Sequence, residues 1–389
     1  MDIDARINRR RNRDDSPRLV REYEALSPVA HIDEPSDRGP VFEELLDHLD
    51  PVFDGRLPPN AYVYGPPGSG KSAIVTALFA RLSRLSTGTR SVIHTNTRAA
   101  TTTTPQFVYV DRRETASEFA FYHDVLAGLV DEPVPEHGVS TADLRSRLHE
   151  RLGSARTGVV VAIDHVDEPA GGDDLISLLA GLPSNVSWLA VGRADPGDVA
   201  VSAYTATVVR VAPYQRQMLV DVLMTRASEG LARQALDHDL ARRIADWADG
   251  DAHDALAVLF VAADRAREAD GGRIDEADVD AAIAETPQPC VSLGRVLGLP
   301  TNKQLVLRAL VDLEEADRAS VAATTEAISS VPTIDLSPGT VKRFLYEMAE
   351  NGIIERVESE ARDGKGRPPS RIELRFPPSA FRRLYDLQT

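Results

Sequence analysis

The sequence predicts an α/β domain built on a parallel β-sheet, followed by a helical bundle and a C-terminal winged-helix module. In the first half of the chain, short apolar segments typical of buried strands alternate with helical patterns, which indicates a parallel sheet covered by helices on both faces. Residues 213–286 carry only helical patterns, and the last hundred residues read as three helices followed by two strands. A length of 389 residues is sufficient for two or three such domains.

Residues 65–72, GPPGSGKS, match the phosphate-binding loop G-x-x-x-x-G-K-[ST]. The loop lies between a predicted strand at 61–64 and a predicted helix from 73, which is the context the motif requires. A glycine-rich turn that matches by chance is therefore disfavoured. Backbone N–H groups and the helix N-terminus are expected to bind the phosphates of ATP or ADP, with Lys71 reaching the β- and γ-phosphates and Ser72 ligating Mg²⁺. The remaining residues expected to surround the nucleotide here are Pro66, Pro67, Gly68, Ser69 and Gly70.

The composition predicts a soluble, cytoplasmic protein without a membrane partner. No apolar run approaches the ~18 residues needed to cross a bilayer. The first 13 residues are arginine-rich and lack the apolar region of a secretory signal. The single cysteine, Cys290, excludes an internal disulfide and a cysteine-based metal cluster.

The formal net charge is −16, and only four of the 44 basic residues are lysines. Such an acidic, arginine-dominated composition suggests a halophilic cell with a salt-rich cytoplasm, although a GC-rich genome would also favour arginine. Because salt screens Coulomb interactions, an acidic average charge does not exclude a DNA-binding protein in such a cell.

The charge is unevenly distributed. Residues 290–389 hold 14 basic and 14 acidic side chains, and from residue 361 onward there are seven basic and three acidic ones. This asymmetry separates a C-terminal module from the rest of the chain. The predicted divisions are an arginine-rich arm at 1–30, an α/β nucleotide-binding domain at 31–212, a helical lid domain at 213–289 and a winged-helix domain at 290–389.

Periodicity and capping signals give the individual elements. Within the winged helix, Ser337 is expected to cap a helix whose apolar stripe is Val341, Phe344, Leu345 and Met348. The predicted strands are 61–64, 107–110, 158–164, 188–192, an edge strand at 207–211, and 353–357 and 371–376 around a hairpin at 361–370. The predicted helices outside the bundle are 19–26, 41–50, 117–129, 140–152, 301–312, 320–330 and one from 338, with an exposed Thr-rich loop at 86–105 and bundle breaks at 236–238, 249–251 and 271–273.

The β-branched segment 158–164 ends in Asp164, in the position of the acid that holds the Mg²⁺ water shell in a nucleoside triphosphatase. His165 occupies the next position, where the glutamate that activates water usually stands. Asp167 and Glu168 follow in the same turn. Asp164, His165 and Asp167 are therefore the candidate catalytic residues.

These motifs resemble the AAA+ initiator family of archaea, which is related to the origin recognition complex and its helicase-loading partner. The resemblance covers nearly the whole chain and rests on GPPGSGKS (65–72), VVVAIDHVDE (159–168), VAPYQRQML (211–219) and DGDAHDALAVLFVAADRA (249–266). It implies an AAA+ domain with a helical lid, bound ATP or ADP with Mg²⁺, and Tyr214 and His253 at the nucleotide. Double-stranded DNA and other initiator subunits or the replicative helicase are the implied partners.

The chain departs from the family at three hydrolysis positions. Where the family reads D-E-x-D, this chain has Asp164-His165-Val166-Asp167; the strand-end asparagine is absent from 191–195; and the lid motif G-D-A-R ends in His253. The resemblance therefore implies a divergent member that binds nucleotide tightly and hydrolyses it slowly or not at all. Two alternatives remain: Asp167 or Glu168 replaces the missing glutamate, and the two histidines are polar residues satisfied within the fold.

The outward face of the third winged-helix helix carries Thr340, Lys342, Arg343 and Tyr346, a set suited to phosphate and base-edge contacts in a major groove. The hairpin adds a basic wing able to contact the backbone or the minor groove. The alternative is a winged helix that contacts protein. The wing residues expected to bind DNA are Arg362, Lys365, Arg367 and Arg371.

Three functions fit these features. The first is an ATP-dependent DNA-binding replication initiator, and the second is a nucleotide-gated transcriptional regulator or plasmid-maintenance protein. A true ATPase motor is the third, but no pore-loop or ring signature supports it.

Overall fold

A computed structural model describes residues 18–30, 38–92, 105–153 except 114, 116 and 131, 158–167, 175–358 and 370–388; the side chains of 86–92 are not described. The strands are β1 (Ala61–Tyr64), β2 (Gln106–Asp111), β3 (Val159–Asp164), β4 (Val186–Gly192), β5 (Thr207–Arg210), β6 (Ile354–Glu358) and β7 (Ser370–Leu374). The helices are α1 (Tyr23–Leu26), α2 (Gly39–Leu49), α3 (Lys71–Val92), α4 (Glu118–Ala127), α5 (Thr141–Gly153), α6 (Leu175–Ala180), α7 (Arg216–Gly230), α8 (His238–Ala248), α9 (Ala252–Glu268), α10 (Glu276–Glu285), α11 (Leu293–Leu297), α12 (Thr301–Asp312), α13 (Val321–Ser329), α14 (Pro338–Glu350) and α15 (Pro378–Gln388).

The five strands of the first half form one parallel sheet in the order β2-β3-β4-β1-β5, which confirms the predicted fold class. All six residues of β3 are buried, as the β-branched pattern predicted for a strand covered on both faces. β5 lies at an edge and pairs only with β1 among the described strands. The carboxyl ends of β1, β3 and β4 consequently meet at one edge of the sheet, where the phosphate loop begins.

Two hydrophobic layers hold the sheet. One contains Tyr62 of β1 and Trp188 of β4 together with Phe121 of α4. The other packs Ile74 and Phe79 of α3 against the opposite face of the sheet. Because α3 starts directly after the phosphate loop, its packing positions that loop relative to β3.

Helices α7 to α10 form the predicted bundle, and the described residues 213–286 contain no strand. The bundle receives α1 from the start of the described chain. Leu26 is fully buried, and the buried Arg226 donates to the carbonyls of Ala25 (3.0 Å) and Ala30 (2.6 Å). α1 is shorter than the predicted helix 19–26 because Val20 forms an antiparallel bridge with Leu231.

The last part of the chain has the arrangement of a winged helix: α12, α13 and α14 followed by the antiparallel hairpin β6–β7. Ser337 caps α14 by accepting from the Thr340 N–H at 3.2 Å. Val341, Leu345 and Met348 are buried as predicted, whereas Phe344 is only partly buried. One continuous hydrophobic core runs from α7 through α9 into α12–α15. Because this core crosses the predicted boundary at residue 289, the domain limits stay a prediction.

Two sequence expectations were wrong in detail, and one helix was missed. The loop predicted from residue 86 is helical as far as Val92, because a helix that is already nucleated gains one hydrogen bond per added residue even through Ser, Thr and Gly. The first break in the bundle extends over 231–237 and is wider than the predicted 236–238. Helix α15, which carries the buried Phe381, was not predicted. The remainder of the predicted loop, 93–104, lies outside the described residues.

Among the helices that the structure describes, none combines the length and the apolar character needed to cross a membrane.

Candidate nucleotide-binding site

A cavity of about 420 Å³ lies at the carboxyl edge of the parallel sheet. The phosphate loop, the ends of β3 and β4 and the N-terminus of α9 form its walls, and residues 28–30 and 289–292 close it. Open α/β sheets bind ligands at this edge, and the volume is in the range of small-molecule sites. The fold thus brings together the phosphate loop, Asp164, His165, Tyr214 and His253, as the sequence predicted.

Lys71 points back into its own loop. Its ammonium donates to the carbonyls of Gly65 (2.7 Å) and Pro66 (2.8 Å) and to Ser69 Oγ (3.3 Å). Burial lowers the pKa of Lys71 to about 8, against the opposing attraction of Asp164. A desolvated cation held by neutral carbonyls is stabilised further when a phosphate approaches it, so the site fits an anion.

Two glycines of the loop are required by close approach. Gly68 has φ +62, and a Cβ there would overlap the carboxylate of Asp251 at the start of α9. Gly70 has φ +84, and a Cβ there would lie 2.8 Å from the hydroxyl of Tyr214. The N–H of Ala252 donates to the Gly68 carbonyl at 3.1 Å, so the lid helix docks directly on the phosphate loop.

Tyr214 forms a wall of the cavity next to the loop and is buried. The guanidinium of Arg38 lies 3.6 Å from its ring centroid, a cation–π contact that fixes the ring beside Gly70. Sequence patterns missed the rest of this wall, which consists of Pro28, Val29 and Ala30 with Arg226. No motif marks these residues, because the segment that follows α1 reaches the site only through its tertiary contacts with α7, such as that of Arg226 with the Ala30 carbonyl.

Asp164 is almost completely buried at the end of β3. It accepts hydrogen bonds from the Tyr109 hydroxyl (2.7 Å) and from the N–H of His165 (2.7 Å). Burial and the carboxylate of Asp164 raise the pKa of Tyr109 well above its usual range, so this hydroxyl remains a donor. Ser72 and Asp164 line the same cavity, as two Mg²⁺ ligands must. The role of Tyr109 was not predicted; the in-register pairing of β2 with β3 brings it to the carboxylate.

His165 occupies the position of the catalytic glutamate with φ +59, a left-handed conformation that few non-glycine residues adopt. Its ring folds back toward the preceding residue, with Nε2 3.7 Å from Asp164 Oδ2. The imidazole therefore lies beside the carboxylate of Asp164, the residue that the sequence predicts as a Mg²⁺ ligand.

The carboxylate of Asp167 bonds to the backbone at the end of β4. Its Oδ2 accepts from the backbone N–H groups of Arg193 (2.5 Å) and Ala194 (2.8 Å), which follow β4. The carboxylate thus joins the ends of β3 and β4 and does not line the cavity. Glu168, the other candidate replacement for the catalytic glutamate, lies outside the described residues.

His253 lines the cavity, but both ring nitrogens have protein partners. Nε2 accepts from the Leu293 N–H at 3.0 Å, and Nδ1 lies 3.3 Å from Asp254 Oδ1. Because Nε2 accepts, Nδ1 carries the ring proton in the neutral imidazole and donates it to Asp254.

His253, Asp254 and Cys290 lie close enough to suggest a metal site, with one ligand atom of each within 4.8 Å of the others. The protonated Nδ1 cannot bind a cation while Leu293 donates to Nε2. Burial also raises the pKa of the Cys290 thiol, which disfavours the thiolate. The cluster is consequently a hydrogen-bonded link between the lid and the segment that follows it.

Lys342 and Arg343 are exposed on α14, as expected of residues that contact DNA. Tyr346 is partly buried because the guanidinium of Arg356 lies 4.5 Å above its ring. Arg371 is exposed on β7 and pairs with Glu373 at 2.6 Å. The other wing residues, Arg362, Lys365 and Arg367, lie outside the described residues.

Comparison with known proteins identifies related sequences and folds. Residues 37–191 match the AAA ATPase domain family. The chain is 29% identical over 349 residues to the ORC1-type DNA replication protein 1 of Aeropyrum pernix, which covers 84% of this chain and 85% of that protein. It is 25% identical over 374 residues to the ORC1-type DNA replication protein of Thermococcus kodakarensis, covering 88% of this chain and 85% of that protein.

Two solved structures share the fold. The Aeropyrum pernix ORC1 protein in complex with DNA has a TM-score of 0.60 at 23% identity, over 95% of this chain and 97% of that chain. Cdc6p from Pyrobaculum aerophilum has a TM-score of 0.57 at 20% identity, over 95% of this chain and 99% of that chain. The likeness extends through the sheet, the helical bundle and the C-terminal module.

Proposed function

Because this chain is a homologue of the archaeal ORC1-type DNA replication proteins, we propose that it is an ATP-binding replication initiator that binds double-stranded DNA through its C-terminal winged helix. The observation that carries the proposal is the cavity at the sheet edge, where an intact phosphate loop faces Asp164 and the lid. We infer further that it acts in the cytoplasm of a salt-rich cell, as its acidic, arginine-rich composition suggests.

The donor set of the cavity supports binding of ATP or ADP with Mg²⁺. The loop from Pro66 to Gly70 would surround the phosphates, and Lys71 would pair with the β- and γ-phosphates. The side chains of Ser72 and Asp164 offer hard oxygen ligands, which Mg²⁺ prefers. Mg²⁺ bridging the phosphates would neutralise their charge.

Slow or absent hydrolysis is the second part of the proposal. His165 stands where the water-activating glutamate is expected, and its ring lies against Asp164. Asp167 does not line the cavity, and its Oδ2 accepts from two backbone N–H groups, so it is poorly placed to act as a base. His253 uses both ring nitrogens within the protein and offers no donor to a phosphate. Nucleotide would thus act chiefly as a bound ligand that stabilises one conformation.

DNA binding is proposed from three supports. The ORC1 protein of Aeropyrum pernix, which has the same fold, was solved in complex with DNA. In this chain, α14 presents Lys342 and Arg343 to solvent. The residues from 361 onward carry seven basic and three acidic side chains, and such a basic segment attracts the phosphate backbone. Other initiator subunits or the replicative helicase are the proposed protein partners.

Chromatin immunoprecipitation with sequencing, in cells that encode this protein, tests the function as a whole. Enrichment at replication origins, abolished in Lys342→Ala/Arg343→Ala cells, is the expected result. Enrichment at promoters alone would overturn the initiator role and favour a nucleotide-gated regulator. The immunoprecipitated variant must be present at the wild-type level, which an immunoblot of the same cells verifies.

A further inference from the structure

The winged-helix module contributes an arginine to the nucleotide cavity. Arg375 follows β7 directly and lines the cavity together with the phosphate loop and His253. Its carbonyl accepts from the Val291 N–H at 2.6 Å, which ties it to the segment that closes the cavity. The charge of its guanidinium acts on the Cys290 thiol, beside His253 and Asp254. Arg375 is therefore at the lid side of the site.

Arg375 differs from two other arginines of the cavity, Arg113 and Arg295, in what its side chain contacts. Arg113 holds Asp111 through both carboxylate oxygens at 3.0 Å, and Arg295 donates to the Asn351 carbonyl at 2.5 Å. Arg375 is a partly buried residue, and its guanidinium makes no hydrogen bond or ion pair with the residues that the structure describes. A partly desolvated cation without a counter-ion gains more from an approaching anion than one already paired.

The lid itself lacks a positive charge at the corresponding place. Position 253 carries an imidazole whose nitrogens are both bonded, to Asp254 and to Leu293. Lys71 is held within the phosphate loop by the carbonyls of Gly65 and Pro66, so Arg375 adds a second cation to the same cavity from the C-terminal module.

We propose that Arg375 of the winged helix binds the γ-phosphate of ATP, in the role that a lid arginine would otherwise fill. The inference deepens the proposed function, since it rests on ATP binding in this cavity. A bidentate guanidinium–phosphate contact suits the fork geometry of arginine.

This contact would join the nucleotide to the DNA-facing helix. Gly352 ends α14 with φ +68 and lines the cavity, and a Cβ built on it would lie 3.6 Å from Nη1 of Arg375. Arg295 holds the adjacent Asn351 carbonyl. Movement of Arg375 toward a phosphate consequently changes the packing at the end of α14 when ATP, but not ADP, is bound.

The test is a calorimetric titration of the full chain with Mg-ATP, Mg-ADP and AMP, comparing wild type with Arg375→Ala. We expect ATP affinity to fall about tenfold or more, as removal of one charge-assisted hydrogen bond should cause, while ADP and AMP affinities stay within about twofold. Arg375→Lys should recover part of the preference for ATP over ADP. Arg382→Ala removes the same charge from an exposed site in the same module, where Arg382 pairs with Asp312, and should leave the preference unchanged.

Unchanged ATP affinity in Arg375→Ala, or an equal decrease for all three nucleotides, would overturn the assignment. If Arg375→Ala does not fold, the same titrations are made with Arg375→Gln, which keeps most of the side chain. A ratio of ATP affinity to ADP affinity equal to that of wild type would then overturn the assignment. Wild-type protein that binds no ATP would instead contradict the proposed function, so the two failures are distinguishable.

Discussion

Lys71 is the residue whose ionisation should control nucleotide affinity. Its pKa is about 8 in the free protein because the ammonium is buried. Phosphate binds the protonated form, so binding raises this pKa, and above pH 8 the lysine must take up a proton before it can pair. We expect ATP affinity to be level below pH 8 and to fall by up to about tenfold per pH unit above it. Titration calorimetry in two buffers of different ionisation enthalpy measures both affinity and proton uptake.

Lys71→Arg is the matched control for this pH dependence, because arginine remains charged throughout the range. Its ATP affinity should be weaker at pH 7 but independent of pH up to about 9. A wild-type affinity that stays as flat up to about pH 9 as that of Lys71→Arg would contradict the lowered pKa of Lys71.

His165 should limit ATP turnover. Replacing it with glutamate supplies a carboxylate next to Asp164, and a positioned general base contributes typically about 100-fold or more in rate. We expect His165→Glu to raise the steady-state rate of phosphate release at least about tenfold, with the left-handed backbone limiting the gain. His165→Asn is the control, since asparagine tolerates this conformation and lacks the carboxylate. Equal rates in all three proteins would contradict the assigned role of position 165.

At the scale of elements, α14 is the helix whose exposed face should bind DNA. Lys342→Ala combined with Arg343→Ala should weaken duplex binding and reduce the log–log salt slope by about 0.9 for each DNA phosphate that the variant no longer neutralises. ATP binding should remain, because these side chains do not line the cavity. Fluorescence anisotropy over a range of KCl concentrations measures both the affinity and its salt slope.

A matched control for this pair lies on α8. Arg242 and Arg243 are likewise adjacent and exposed, and they pair with Asp239 and Asp280. Their double alanine variant removes the same two charges and should bind DNA as the wild type does. If the α14 variant also binds like wild type at every salt concentration, the winged helix contacts protein and the initiator proposal fails.

At the scale of the whole molecule, one buried carboxylate connects three distant parts of the chain. Asp264 of α9 accepts from the Tyr23 hydroxyl of α1 at 2.5 Å and from Arg383 Nε of α15 at 2.9 Å. Arg267 completes the cluster at 3.1 Å. Burial and the bond to Asp264 raise the pKa of Tyr23 above its usual range, so this link persists at alkaline pH. It joins α1, which precedes the cavity-wall residues 28–30, to α15 at the end of the C-terminal module.

The net charge of −16 should make stability depend on salt. Repulsion among acidic side chains opposes folding at low ionic strength, and at about 1 M salt the screening length falls to about 3 Å. We expect the midpoint of thermal unfolding, followed by circular dichroism at pH 7, to rise between about 0.1 M and about 2 M KCl. The same experiment near the isoelectric point of about 5.1 should show a much smaller rise. An equal rise in the unfolding midpoint at both pH values would show that salt stabilises the protein through hydrophobic burial and not by screening charge repulsion.

The sequence by itself determined the phosphate loop, the strand ending in Asp164, the parallel sheet, the all-helical bundle and the winged-helix arrangement. These features depend on local signals: glycine spacing, β-branched segments, helical periodicity and the Ser337 cap. Local sequence patterns did not predict α15, because this helix is stabilised by packing on other elements, against which Phe381 is buried.

Only the tertiary structure decided what surrounds the nucleotide cavity. The register of β2 on β3 brings the Tyr109 hydroxyl to Asp164, and the backbone at the end of β4 binds the carboxylate of Asp167. Arg375, which is more than 300 residues from the phosphate loop in sequence, lines the same cavity. Such contacts join residues that are tens to hundreds of positions apart, and no short motif encodes a pairing that depends on how whole elements pack. For this reason the sequence identified the chemistry of the phosphate loop, while the fold determined which side chains share the cavity with it.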